Sequence, residues 1–206
     1  MILRKLGQQN YLQTWQAMRD FTDQRTAETV DELWVVEHYP VFTQGLAGDP
    51  AHIHQRNHIP LIQTDRGGQV TYHGLGQLVF YPLLQLNRYR LGVKQLVHIL
   101  EEVTLSLLQE HHIMAKRHEG APGLYVGKDK IAALGLKIRK GCSYHGLSLN
   151  VDMDKTPYQQ ITPCGLQNIG VTQWRDHAPL IAKEVIVERW HQLFTAALNH
   201  AASTRI

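Results

Sequence analysis

One cysteine sits where the backbone is held in a sharp corner, which is a setting that suits a nucleophile. In residues 161–166, ITPCGL, Pro163 fixes φ immediately before Cys164 and Gly165 frees the chain immediately after it. A thiol at such a corner can be presented at the mouth of a pocket. A lone cysteine in a turn is more commonly inert, so the residues alone leave both interpretations open.

A lysine opens an apolar run in residues 127–135, GKDKIAALG. Lys130 precedes Ile131, Ala132, Ala133 and Leu134 in this run, and Gly135 relieves crowding at its end. Either the stem of Lys130 packs along the strand while its ammonium reaches solvent, or the fold brings the ammonium into a site. The pattern by itself favours the first alternative.

Residues 65–77, DRGGQVTYHGLGQ, hold four glycines among polar and aromatic side chains. Glycine lets a ligand approach the backbone and adopts positive φ without steric cost, and exposed N–H groups can cradle an anionic or carbonyl oxygen. The alternative is a pair of tight turns at strand ends. The segment has neither the Gly-Lys-Ser/Thr of a nucleotide-binding P-loop nor the spacing of a dinucleotide fingerprint.

A fourth segment, residues 141–150, GCSYHGLSLN, is a strand interrupted at Gly146, where a bulge or a close neighbour is expected. His145 just before it is either a base or ligand, or, more commonly, a structural histidine. Cys142 in the same strand is interpreted as a small core residue. The 13 histidines show no metal-ligand spacing, so no zinc site is predicted.

The elements that must position these residues follow from hydrophobic periodicity. Helical spacing occurs near residues 11–21, 93–108 and 186–198, and β-like runs occur at 33–36, 61–64, 78–84, 123–126, 130–139 and 143–151. Two strand-rich blocks around a long helix predict an α+β fold: a mixed, largely antiparallel sheet flanked by helices. Strand–helix–strand units do not repeat, which argues against a doubly wound parallel sheet. Residues 1–206 are expected to form a single domain.

Composition excludes several classes of protein. With 43% hydrophobic and 19% charged residues the chain is too apolar for disorder, and its apolar runs are too short to cross a bilayer. The N-terminus does not resemble a secretory signal, and two cysteines fit a reducing, cytoplasmic compartment. Residues 115–141 carry seven basic and two acidic side chains. This local excess indicates either an acidic partner, with a protein favoured over nucleic acid, or solubilising charges on exposed strands.

In combination and order, the four segments resemble the octanoyltransferases of lipoate biosynthesis, from the first helix to about Val171. Leu75 stands where members often carry Pro, a turn position of little chemical consequence. The resemblance implies the fold of the biotin and lipoate protein ligase catalytic domain, with Cys164 as acyl-accepting nucleophile and Lys130 as its partner. It also implies an acyl site lined by three groups of residues: Arg66, Gly67, Gly68, Gln69, Val70, Thr71, Tyr72 and His73; Ala133, Leu134 and Gly135; Gly146, Leu147 and Ser148.

The implied reaction moves an octanoyl group from the thioester of acyl carrier protein to a lysine of a lipoyl domain. The expected acceptors are the lipoyl domains of 2-oxoacid dehydrogenases and the glycine cleavage H protein. No metal, nucleotide or other cofactor, no nucleic acid and no membrane is expected to take part, and the expected compartment is the cytoplasm. His145 is a candidate for proton transfer or for shaping the pocket.

Three other functions compete with this one. An ATP-dependent lipoate or biotin ligase on the same fold would need no cysteine at position 164, and its nucleotide-binding sequences do not occur here. Cys164 with His145 would suit a thiol hydrolase or amidase. A basic binding module without catalysis would be indifferent to alkylation of Cys164.

Overall fold

The computed structural model describes residues 1–54, 58–162 and 169–203. Within them the main sheet has seven strands: β1 (Ile2–Gln9), β2 (Glu32–His38), β6 (Gln77–Leu83), β7 (Ala115–His118), β8 (Ala121–Val126), β9 (Asp129–Arg139) and β10 (Cys142–Asn150). Their order in the sheet is β1-β2-β6-β10-β9-β8-β7. All neighbours are antiparallel except β1 and β2, which are parallel and are joined through helix α1 (Tyr11–Asp23).

Helices cover both faces of the main sheet. Helices α2 (Val93–Glu110) and α3 (Lys183–Ser203) pack on one face, where Leu100 and Leu107 meet Trp190 and Phe194 in the larger core. Helix α1 (Tyr11–Asp23) lies on the opposite face, where Met18 is fully buried in a smaller cluster with aromatic side chains from β2, β6 and β10. Asn10 caps α1 by accepting hydrogen bonds from the first-turn amides.

A second sheet of three strands, in the order β4-β3-β5, places the glycine-rich segment. Its strands are β3 (Val41–Gln44), β4 (Leu61–Gln63) and β5 (Val70–His73). Strand β5 is antiparallel to β3, and β4 is parallel to β3. Because β5 leads through a three-residue turn into β6, the small sheet is tied directly to the centre of the main sheet.

The predicted fold class is confirmed, and so are the three helices and the six predicted strands. Strands β1, β3, β5 and β7 were not predicted, and the unit β1–α1–β2 is a parallel strand–helix–strand connection that the sequence pattern did not reveal. In α1 the apolar Leu12 is 52% exposed, whereas the polar Thr14 and Thr22 are buried. Each threonine hydroxyl bonds a backbone carbonyl four residues back, so it is buried with a partner.

Candidate acyl-binding site

A cavity opens where the small sheet meets the α1 face of the main sheet. Strand β5 and the loop before it form one wall, and β6, β9 and β10 form the other. The lining residues are Tyr11, Arg66, Gly68, Gln69, Val70, Thr71, His73, Val79, Tyr81, Ala133, Leu134, Gly135, His145, Gly146, Leu147 and Ser148.

The fold brings together residues from three distant segments that the sequence had singled out. Of the fourteen residues predicted for the acyl site, all but Gly67 and Tyr72 line this one cavity, and His145 lines it too. The amide of Gly67 instead bonds the carbonyl of Leu136 at 2.9 Å and ties the loop to β9. Tyr72 points into the small sheet's own cluster, against Phe42 and Tyr158.

Arg66 holds the glycine-rich loop in shape from inside. Its side chain is buried, and its guanidinium donates to the carbonyls of Thr43, Gly67 and Gln69 at 2.5–2.9 Å. It also donates to the Thr43 hydroxyl. A loop of glycines loses much backbone entropy on ordering, and a buried cation bonded to its carbonyls offsets that cost. The backbone around the cavity is therefore fixed by Arg66.

His73 reaches the cavity as a neutral imidazole. Its ring is buried at the end of β5, and Nδ1 lies 2.6 Å from the side-chain oxygen of Gln77. Burial, followed by the charge of His38, lowers the pKa of His73 to about 3. Since Gln77 presents an oxygen, Nδ1 carries the proton of the neutral ring, and Nε2 is left as an acceptor.

His145 is held by a carboxylate at the edge of the same cavity. Its Nε2 lies 3.0 Å from Asp65, and its Nδ1 lies 3.5 Å from the hydroxyl of Tyr11. Burial lowers the pKa of His145, although Asp65 opposes this. Burial would raise the pKa of Asp65, but hydrogen bonds from His145, Tyr144 and Trp15 outweigh it and hold that pKa well below its usual range. His145 therefore donates Nε2–H to an ionised Asp65.

Two tyrosines that line the cavity were not predicted as site residues. Burial raises the pKa of Tyr11 to about 12 and holds the pKa of Tyr81 well above its usual value, so both remain hydroxyl donors. The hydroxyl of Tyr81 donates to His38, whose Nδ1 bonds the carbonyl of Gln9. The alternation of side chains along a strand could have identified Tyr81. Val79 and Tyr81 are two residues apart in a predicted strand, so their side chains lie on the same face of the sheet.

Lys130 lies on the second residue of β9 and is only 4% exposed. The expectation that its ammonium reaches solvent is therefore wrong. Nζ donates to the carbonyl of Pro122 at 3.2 Å and lies 5.1 Å from the ring centroid of Tyr125. The backbone of Lys130 also bonds Gly170 and Thr172 at 2.9 and 3.0 Å.

Cys164, the predicted nucleophile, lies outside the described residues.

Cys142 behaves as the core residue that its strand position predicts. It is a free cysteine, 3% exposed, whose thiol donates to the side chain of Gln85. Burial raises the pKa of this thiol, which disfavours the reactive thiolate.

In the described part of the chain no cluster of three or more His, Cys, Asp or Glu side chains could hold a metal ion. No helix there is long and apolar enough to span a membrane.

Sequence comparisons connect almost the whole chain to one family. Residues 10–199 match the model of the lipoyl protein ligase A/B catalytic domain. An octanoyltransferase of Dechloromonas aromatica is 55% identical over 184 residues, which cover 89% of this chain and 90% of that protein. An octanoyltransferase of Nitrosomonas europaea is 50% identical over 197 residues, which cover 96% of this chain and 97% of that protein.

Solved structures show the same fold at low identity. A bipartite lipoate protein ligase from Thermoplasma acidophilum superposes with a TM-score of 0.75 at 15% identity, covering 96% of this chain and 83% of that one. The biotin protein ligase of Aquifex aeolicus superposes with a TM-score of 0.60 at 12% identity, covering 99% of this chain and 71% of that one.

Proposed function

Because the chain belongs to the lipoyl protein ligase A/B catalytic domain family, we propose that it transfers an octanoyl group to lipoyl domains through a thioester on Cys164. The octanoyl donor in this proposal is acyl carrier protein. The observation that carries it is the identity of 50–55% with octanoyltransferases over most of the chain. The solved ligases match in fold at far lower identity.

In the first half-reaction the thiolate of Cys164 attacks the carbonyl carbon of the donor thioester. A new C–S bond forms, and the bond to the carrier sulfur breaks. An ammonium at Lys130 favours the thiolate before attack and gives a proton to the departing carrier sulfur afterwards. This exchange of one thioester for another leaves octanoyl-Cys164, a free carrier thiol and a neutral Lys130.

In the second half-reaction the amine of the acceptor lysine attacks octanoyl-Cys164. The C–N bond forms, and the sulfur of Cys164 leaves as a thiolate. The amine gives its proton to neutral Lys130, which restores the starting pair. Because an amide is more stable than a thioester, this step runs downhill without nucleotide hydrolysis.

The cavity supports this proposal by its shape and polarity. Val79 and Ala133 supply apolar side chains to the lining, and burying an alkyl chain against such walls contributes about 0.8 kcal/mol per methylene. Lys130 and the lining residue Ala133 are three apart on β9 yet face the same side of the sheet, because Ile131 is an extra residue between pairing positions. The proposed amine is therefore on the cavity side.

The proposed acceptors are lysines of the lipoyl domains of 2-oxoacid dehydrogenases and of the glycine cleavage H protein. The proposed compartment is the cytoplasm, where reduced thiols persist. Both substrates would then be proteins, which reach the cavity with a flexible arm or an exposed lysine.

Intact-mass spectrometry after incubation with octanoyl-acyl carrier protein tests the proposal. The protein should gain the mass of one octanoyl group, and peptide mapping should place it on Cys164. The variant Cys164→Ser should form no thioester adduct, and Lys130→Ala should lose at least about 10²-fold in the rate of transfer. The matched control Cys142→Ser should retain activity within about twofold, because its thiol is buried and protonated.

The same assay separates the competing functions. If the octanoyl group is released as free octanoate in the presence of a lipoyl domain, the protein is a hydrolase. If transfer requires ATP and free octanoate, it is a ligase. An adduct on Cys142, or full activity of Cys164→Ser, would refute the proposed nucleophile.

A further inference from the structure

The aromatic ring of Tyr125 lies directly against the ammonium of Lys130. Tyr125 and Lys130 are cross-strand partners on β8 and β9, and Nζ is 5.1 Å from the ring centroid. The imidazole of His118 stacks on the same ring, with 4.2 Å between ring centroids and an interplanar angle of 3°. Tyr125 is completely buried, so the stack fixes the ring in place.

Two backbone features bring the amine to that ring. Lys130 and Ala132 oppose the consecutive residues Tyr125 and Leu124, so Ile131 forms a bulge that turns Lys130 away from the larger core. At Gly123, φ is +122°, and a Cβ there would lie 2.6 Å from the carbonyl of Ala132 and 3.3 Å from Cε of Lys130. The lysine stem therefore occupies the space that glycine leaves open.

The surroundings of the amine hold several charged and titratable groups. Glu101 of α2 accepts from the amide of Gly123 and is paired with Arg117 of β7, so its charge is already matched. The carboxylate of Asp129 lies beside Gly170. Tyr125 and His118 lie on β8 and β7. Beyond them, Asp176 and His177 both bond the hydroxyl of Thr172, whose amide bonds the carbonyl of Lys130.

A buried ammonium loses hydration, and an aromatic face restores part of the lost stabilisation because its quadrupole attracts a cation. The carbonyl of Pro122 fixes the direction of the same ammonium. We infer that Tyr125 is a positioning residue for the acyl transfer, whose ring holds Lys130 as an ammonium aimed away from the larger core. This role rests on the proposed function, in which Lys130 is charged when the first half-reaction begins.

Titration of Lys130 in the whole protein tests the inference without any substrate. The readout is the NMR signal of ¹³C-labelled lysine side chains, with Lys130 assigned through Lys130→Arg. In Tyr125→Leu, Lys130 should lose its proton at a pH lower by about 0.5–1 units than in the unchanged protein. Tyr125→Phe keeps the ring and should titrate as the unchanged protein does. The alkaline limb of the adduct-formation profile should move in parallel.

Two controls separate a role of the ring from a loss of structure. Leu124→Val removes a methylene on the other side of β8 and should leave the titration unchanged. A chain carrying pentafluorophenylalanine in place of Tyr125 keeps the shape of the ring but reverses the sign of the electrostatic potential over its face. In this chain Lys130 should lose its proton at a lower pH, as expected for Tyr125→Leu. The comparison holds even if Tyr125→Leu folds poorly. Equal titrations of the Phe and pentafluorophenylalanine chains would overturn the inference. An unchanged protein that forms no octanoyl adduct would instead refute the proposed function, since the titration does not depend on it.

Discussion

At the scale of single residues, the imidazoles around the cavity are each held in one tautomer by a partner. His73 donates to Gln77, His145 to Asp65, and His38 to the carbonyl of Gln9. Because all three are buried with lowered pKa values, they remain neutral near pH 7. These imidazoles therefore offer hydrogen bonds beside the cavity without adding charge, which suits an uncharged thioester and an alkyl chain.

This burial makes the stability of the protein depend on pH. The pKa of His73 is lowered from 6.5 to about 3, so between these values the unfolded chain binds a proton that the folded chain does not. The free energy of unfolding should therefore fall as pH decreases through this window, by about 2 kcal/mol at pH 5 from His73 alone.

Urea unfolding at two pH values measures this contribution. The variant His73→Asn should lose less stability than the unchanged protein when the pH is lowered from about 7.5 to about 5. The exposed His112, whose φ of +59° asparagine tolerates, provides the matched control His112→Asn, which should keep the full decrease. Identical pH dependence in both variants would contradict the burial of a neutral His73.

At the scale of secondary structure elements, the site depends on how closely β10 approaches β6. A Cβ at Gly146 would overlap the carbonyl oxygen of Phe80. Since Gly146 also lines the cavity, any side chain there must push apart two central strands or close the space between the sheets. Glycine is needed at this point for close approach of two backbones.

The substitution Gly146→Ala should therefore destabilise the protein by at least about 2 kcal/mol, and thermal unfolding would show it as a lower Tm. Gly92→Ala is the matched control, because Gly92 has a φ of −88° at the start of α2 and a Cβ there meets only one atom, 3.5 Å away. That change should cost a few tenths of a kcal/mol. Equal losses in the two variants would show that the contact at Phe80 is unimportant.

The sequence predicted those elements whose periodicity spans several turns or a long apolar run, such as α2 and β9. It did not predict β5, because its glycine-rich flanks are typical of a loop, and the pairing with β3 that makes it a strand is non-local. The sequence also did not reveal on which face of the sheet the Lys130 side chain lies. The extra residue Ile131 reverses the alternation of side chains along β9 at this point. Local patterns identify candidate residues, whereas register decides which of them meet.

At the scale of the whole molecule, fewer of the basic side chains in residues 115–141 are available to attract an acidic partner than their number indicates. Arg117 is paired with Glu101 and Glu102, and Arg139 and Lys140 with Asp23. Lys130 is buried. The three remaining basic residues are Lys116, Lys128 and Lys137. Within the described ranges, none of these three forms an ion pair.

Steering of an acidic carrier protein would thus depend on three lysines, of which Lys116 and Lys128 are exposed and Lys137 is half-buried. Raising the salt concentration from about 20 mM to about 200 mM should lower kcat/KM for the carrier, because screening weakens attraction beyond the Debye length. Changing all three lysines to Gln should flatten this dependence while leaving kcat unchanged. Arg139→Gln with Lys140→Gln is the matched control, since removing charges already paired with Asp23 should preserve most of the slope. If the triple variant keeps the full dependence on salt, the carrier is steered by another surface, and residues 115–141 carry charge only for solubility.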